Sequence, residues 1–137
     1  SGQETPFSHG GVESSLHMDA QNLTQLARTA ARLYNCTFFI TGKTDVVSDG
    51  EQTILLSGGD PRLCRITGGG CMLSALCALF CCSGASAFEA ASTAGQLWKE
   101  ISEEAGKRTD QNGGGIGQFH MSLMDMTEQK IYFSAHS

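Results

Sequence analysis

Thr67-Gly68-Gly69-Gly70-Cys71 is the segment whose residue types could do chemistry. Three glycines stand between an extended stretch and an apolar helix. Without side chains, their backbone N–H groups can converge on one point, and a helix N-terminus adds partial positive charge. The result is an anion hole, contributed by Gly69 and Gly70, suited to a phosphate or to a developing oxyanion. It is not a Walker loop, because no Gly-Lys-Ser/Thr follows. The same residues also read as a flexible turn between packed elements. Cys71 lies in the first turn of the helix, where the helix end lowers a thiol from its free value of about 8.5. It is therefore a candidate base or nucleophile. Cys77, Cys81 and Cys82, further along the same helix, read as buried structural cysteines.

Thr41-Gly42 ends an apolar strand, where α/β proteins place ligand-contacting groups. A hydroxyl followed by a glycine amide suits a phosphate contact, and it equally suits a plain strand-ending turn. Lys43 beside it either joins such a site electrostatically or is a surface lysine, the reading a lone lysine favours. Gly113-Gly114-Gly115-Ile116-Gly117 either lines a nucleotide base or forms an unstructured loop. His9, His17, His120 and His136 show no triad or metal-ligand spacing and read as surface residues. There is no Cys-x-x-Cys pair, so no metal site is expected.

The elements that must position these groups follow from periodicity. Leu23, Leu26, Ala27, Ala30 and Leu33 recur at three- and four-residue steps, predicting a helix from about Ser14 to Tyr34. Ser14, Ser15 and Asp19 are its start signals, and Asn35 ends it. Cys36–Thr41 reads as a buried strand of the parallel kind. Asp45–Ser48 and Thr53–Leu56 read as two strands of a hairpin, joined through Asp49-Gly50. Leu63–Thr67 reads as extended. Helices follow over Cys71–Cys82 and Ala85–Lys107, the latter with a stripe of Phe88, Ala91, Ala94, Leu97, Trp98 and Ile101. A last helix runs over Gln118–Met126, and Ile131–Ser134 is either an extra strand or a frayed end. The fold class expected is α/β, with all 137 residues forming a single unit of short strands, a β-hairpin and following helices.

Composition bounds the function. With 40% hydrophobic residues, 17% charged residues and two prolines, the chain has the make-up of a globular domain. A net charge of -5 argues against a nucleic-acid partner, which requires a basic surface. The longest apolar run, Cys71–Cys82, falls short of the about 20 residues that cross a bilayer, so no membrane partner is expected. Cysteines confined largely to one helix fit a reducing cytoplasm. The start at Ser1-Gly2-Gln3 without methionine suggests a processed chain, a tag remnant or a piece of something longer.

Taken together, Thr41-Gly42-Lys43-Thr44-Asp45-Val46-Val47-Ser48-Asp49-Gly50, Gly58-Gly59-Asp60-Pro61 and Thr67-Gly68-Gly69-Gly70-Cys71-Met72-Leu73-Ser74-Ala75 resemble hydroxyethylthiazole kinase in order and spacing. Gly11-Val12-Glu13-Ser14 resembles that family's Gly-Val-Asp-Ser. Most relatives in the wider ribokinase-like superfamily carry aspartate where this chain has Cys71. The resemblance implies the C-terminal part of a ribokinase-like three-layer sandwich. It implies ATP-dependent phosphorylation of the primary alcohol of 4-methyl-5-(2-hydroxyethyl)thiazole, in thiamine synthesis or salvage, with ATP and Mg2+ as cofactors. In that reading Thr41 contacts the ATP phosphates, Gly68 lies at the thiazole site, and Cys71 faces the reacting hydroxyl. A homotrimer, or assembly with an N-terminal half chain, is implied as well.

Two departures from the family pattern stand out. Its Gly-Pro-Gly-Ser-Phe reads here Gly115-Ile116-Gly117-Gln118-Phe119, so the proline that would stiffen that loop is absent. The chain also matches only about the second half of the family's length and carries no Asn-x-x-Glu metal motif. Activity is therefore expected to need the N-terminal half. The alternatives are a non-catalytic phosphate- or nucleotide-binding assembly module of the same fold, and a cysteine-nucleophile enzyme centred on Cys71.

Overall fold

The computed structural model describes residues 19–136, with side chains through residue 133, and those residues fall into two compact units divided between Ser57 and Gly58. The expected start signals Ser14 and Ser15, the Gly11–Ser14 match, His9, His17 and the side chain of His136 lie outside this description.

The first unit opens with helix α1, Ala20–Tyr34. Of the three start signals, the described one is the cap: Asp19 accepts the Asn22 N–H at 2.8 Å. Asn35 ends the helix in the left-handed conformation, with φ of 51°, which asparagine tolerates better than most residues. The buried stripe is Leu23, Ala27 and Ala31, whereas Leu26 and Leu33 are exposed. The helix thus faces the sheet with one leucine and two alanines.

Strands β1 (Phe38–Ile40), β2 (Asp45–Ser48) and β3 (Thr53–Leu56) form one sheet in the order β1-β2-β3. Both pairings are antiparallel, with Phe38 opposite Ser48 and Asp45 opposite Leu56. This corrects the expectation of a buried parallel strand at residues 36–41. β1 is a half-buried edge strand of three residues, and a short apolar run cannot by itself report strand direction. The central strand β2 is buried along its whole length. Val46 joins Leu23 and Ala27 in a core cluster against which Ile40 packs.

The Asp-Gly hairpin forms as expected. Asp49 Oδ1 accepts the N–H groups of Glu51 at 2.9 Å and Gln52 at 2.7 Å. Gly50 adopts φ of +98°, and a Cβ there would meet Arg32 Cγ at 2.9 Å. Arg32 Nε donates to the Gly50 carbonyl at 2.8 Å, so the turn is tied to α1 as well as closed on itself.

The second unit begins with Gly58–Asp60 and a short 3₁₀ helix, Pro61–Arg65. This overturns the extended reading of Leu63–Thr67. Asp60 accepts the Arg62 N–H, and Pro61 is preset for a first helical position. Helix α2 (Gly69–Cys82) follows, then α3 (Ala87–Gln111) and α4 (Ile116–His136). Ser86 and Glu89 form a reciprocal capping box at the start of α3, a device whose loss costs about 1 kcal/mol. In α3, Ala91, Ala94, Trp98 and Ile101 of the expected stripe are buried, with Phe88 and Leu97 half-buried. α4 starts inside the expected glycine turn and runs through Ile131–Phe133, where a strand or frayed end was open. Nothing between Gln118 and His136 breaks a helix, so the helix continues. Phe119 and Leu123 anchor it in the core.

Candidate active site

The glycine turn is a defined geometry. Gly68 is the N-cap of α2, in the left-handed region with φ of +86° and ψ of 0°, and no side chain caps the helix. The first helical bond runs from the Met72 N–H to the Gly68 carbonyl at 3.1 Å. By helix geometry the N–H groups of Gly69, Gly70 and Cys71 have no acceptor within the helix. They carry the partial positive charge of the helix end. A positive φ explains glycine at position 68. At 69 a Cβ would sit 3.5 Å from Ile66 Cδ1, an ordinary contact. At 70 a Cβ would meet no atom within 4 Å, so neither strain nor packing among the described residues requires that glycine.

Cys71 is exposed in the first turn of α2, beside these amides. Further along, Cys77 is half-buried, and burial, helped by the neighbouring Cys81, pushes its thiol pKa up. Cys81 and Cys82 are exposed. The expectation that all three are buried is thus corrected: α2 buries only Leu73 and Leu76. Its composition is apolar around the whole circumference, so position on the helix says little about which face is covered.

Thr41 and Lys43 belong to the other unit and are exposed, just after β1. The turn between them is shaped by Asp45, whose Oδ1 accepts the Gly42 N–H at 2.9 Å. The sequence placed Thr41 correctly at a strand end and missed Asp45, which is buried in β2. At the far end, Gly113 has φ of 62°, and Ile116 and Gly117 lie inside α4. His120 is half-buried, not a surface residue. A cavity of about 240 Å3 on α3 and α4, lined by Glu104, Lys107, Arg108, Gln111 and Met126, includes none of the expected site residues.

A family model described as the hydroxyethylthiazole kinase family matches residues 3–131. The chain belongs to that family. A hydroxyethylthiazole kinase from Clostridium botulinum is 39% identical over 113 residues, which is 82% of this chain and 40% of that protein. One from Desulfitobacterium hafniense is 38% identical over 102 residues, covering 74% of this chain and 37% of that protein. The solved structure of the hydroxyethylthiazole kinase protein from Pyrococcus horikoshii superimposes with a TM-score of 0.59 at 31% identity, over 80% of this chain and 41% of that one. The chain therefore spans about 40% of the length of these relatives and matches their C-terminal part. Its mixed α/β architecture is that part of the ribokinase-like fold of the hydroxyethylthiazole kinases.

Among the described residues, no group of three or more His, Cys, Asp or Glu side chains could hold a metal ion. In the second unit, the carboxylates of Asp60 and Asp110 are both engaged by Arg62. Among the described residues no helix is long and apolar enough to cross a membrane.

Proposed function

We propose that this chain supplies the phosphate-handling part of an ATP-dependent kinase acting on the primary alcohol of 4-methyl-5-(2-hydroxyethyl)thiazole. The observation that carries the reading is the start of α2. A left-handed Gly68 opens a helix whose first amides lack helical acceptors, with an exposed thiol in the same turn. Family membership supplies the substrate class. Gly70, required by no contact or strain of its own, suits a backbone that something must approach closely.

In this mechanism the amides of Gly69, Gly70 and Cys71 face the transferring phosphoryl group and stabilise its charge, the main task of a phosphotransferase. The Cys71 thiolate accepts the proton of the substrate hydroxyl as that oxygen bonds to the γ-phosphorus. The bond to the ADP oxygen breaks, and ADP leaves with its electron pair. Gly68 borders the thiazole. The glycine turn fits the phosphates of ATP. Among the described residues no three metal-ligating side chains gather; Mg2+ commonly binds through one or two carboxylates and the substrate phosphates, which the glycine turn would hold. No step here runs through the ion. The family resemblance further supports a homotrimer working in the cytoplasm, and a need for the N-terminal part of the fold. A second reading is a phosphate-binding module of the same fold without turnover, because the amides at the start of α2 would hold an anion whether or not Cys71 acts.

An ATP-plus-thiazole phosphorylation assay separates the two, run on the chain alone and with the N-terminal part of a relative supplied in trans. Turnover in the reconstituted assembly, lowered about 10²–10⁴-fold by Cys71→Ala with ATP binding retained, supports the kinase. No thiazole-dependent turnover from a folded assembly sinks it, and unchanged turnover in Cys71→Ala removes the thiol from the mechanism.

A further inference from the structure

Upstream of the glycine turn, the second unit contains a charged cluster that the proposed chemistry does not use. Asp60 Oδ1 accepts both the Arg62 N–H and Arg62 Nε at 2.9 Å, and Oδ2 accepts Nη2 at 3.1 Å. The other edge of the guanidinium donates to Asp110, from Nη1 to Oδ1 at 3.0 Å and from Nη2 to Oδ2 at 3.2 Å. Its carbon lies 5.3 Å from the centroid of the Phe119 ring. One side chain thus joins the 3₁₀ helix to the last turn of α3 and to the first turn of α4.

The neighbouring backbone is fastened as well. The Gly59 N–H donates to Glu103 Oε1 at 2.9 Å, and the Asp60 N–H donates to Ser102 Oγ at 2.9 Å. Lys99 Nζ donates to the Gly58 carbonyl at 3.2 Å. Beyond Arg65 the chain reaches Ile66, whose side chain lies beside Gly69, and then Gly68 in its left-handed conformation. Only the short 3₁₀ helix and two residues separate Asp60 from the turn. Fixing its base therefore limits where Gly68 and the first amides of α2 can point.

We propose that Arg62, forked between Asp60 and Asp110 over Phe119, is a positioning residue for the glycine turn and for Cys71. This rests on the kinase reading of that turn. The site requires arginine. Two carboxylates approach two edges of one planar group while its carbon lies over a ring, and an ammonium does not offer the paired donors. Asp60 first, and then Asp110, hold the guanidinium pKa above its ordinary range.

The test is site-resolved alkylation of the folded chain with iodoacetamide, read by mass spectrometry. Cys71 reports the turn, and Cys81 and Cys82 at the other end of α2 are internal references. Arg62→Met should change the Cys71-to-Cys81 rate ratio several-fold, and Arg62→Lys should not restore it. Asp110→Asn, which removes only the exposed partner, should shift the ratio the same way by less. An unchanged ratio in both Arg62→Met and Asp110→Asn overturns the proposal. So does a parallel rise at every cysteine in both, which marks a merely structural role. The measurement requires neither nucleotide nor turnover. A shifted ratio in a chain whose complete assembly fails to phosphorylate the thiazole alcohol would sink the kinase reading and leave the positioning role standing.

Discussion

The Asp60 carboxylate occupies the space that a side chain on residue 106 would need. A Cβ built on Gly106 would meet Asp60 Oδ2, with Asp60 Cγ at 2.9 Å and Arg62 Nη2 at 3.2 Å. Gly106 lies buried in α3, with the 3₁₀ helix pressed directly against its backbone. The two segments meet this closely only because position 106 has no side chain.

Gly106→Ala should therefore destabilise the chain. Alanine in a helix interior ordinarily gains about 1 kcal/mol over glycine. Overpacking a filled site costs about 1–3 kcal/mol. Asp60 cannot swing aside without breaking its bonds to Arg62, so the cost should prevail. Urea unfolding is expected to show a lower midpoint than wild type. A higher midpoint would mean that Asp60 has another favourable position.

Gly68 and Gly70 should separate stability from ligand handling. Gly68→Ala forces a side chain into φ of +86° and should cost about 1–2 kcal/mol in the thermal melt. Gly70 has no positive φ, and an added Cβ meets nothing within 4 Å, so Gly70→Ala should gain helix propensity, at this second position of α2 less than the about 1 kcal/mol of a helix interior. In the kinase mechanism that same methyl intrudes on the phosphoryl group. Gly70→Ala should thus melt higher and bind ATP more weakly in the complete assembly, as titration calorimetry would show. ATP binding at wild-type strength would take Gly70 out of the anion hole.

Local chemistry was legible in the sequence and distant pairing was not. Asp49-Gly50 between two β-rich runs announced the hairpin, because a turn's requirements are carried by its own residues. Asn35 marked the end of α1 for the same reason. The start of α3 had an unused signal, Ser86 followed three residues on by Glu89, and Asp60-Pro61 was an unused sign of the 3₁₀ helix. The run at Phe38–Ile40 carried no information on direction, since an apolar triplet suits either kind of sheet. Nothing near Arg62 pointed to Asp110, 48 residues away. The left-handed turn at Gly68 and the place of Cys71 in the first turn of α2 were legible from a glycine run entering a helix. Asp45 escaped because its bond to Gly42 depends on how the chain turns back after β1.

The hairpin should show a specific response to acid. Asp49 accepts the N–H groups of Gln52 and Glu51, and those bonds hold its carboxyl below the ordinary carboxylate value, Gln52 contributing most. A depressed pKa stabilises the fold fully above the unfolded value, about 3.9. That contribution is lost as pH falls through the lower folded value. The Asp49 carboxyl carbon should titrate by NMR below its free-peptide value, and the Gln52 amide should move with it. Asp49→Asn keeps an acceptor oxygen and should abolish the titration while preserving the turn. An Asp49 that titrates at or above the free value would contradict the bonds described.

The thiols of α2 should react at different rates although they share one helix. Half-burial raises the Cys77 pKa, and the neighbouring Cys81 one turn on adds to the shift. Alkylation proceeds through the thiolate, so Cys77 should be slower at neutral pH than the exposed Cys81 and Cys82. The gap should narrow as pH rises and Cys77 ionises. Cys81→Ser removes the smaller cause and leaves the burial. It should speed Cys77 only modestly, which site-resolved alkylation across a pH series would measure. If Cys77 matched Cys81 at neutral pH in the folded chain, the face of α2 that carries Leu73 and Leu76 would not be shielding its sulfur.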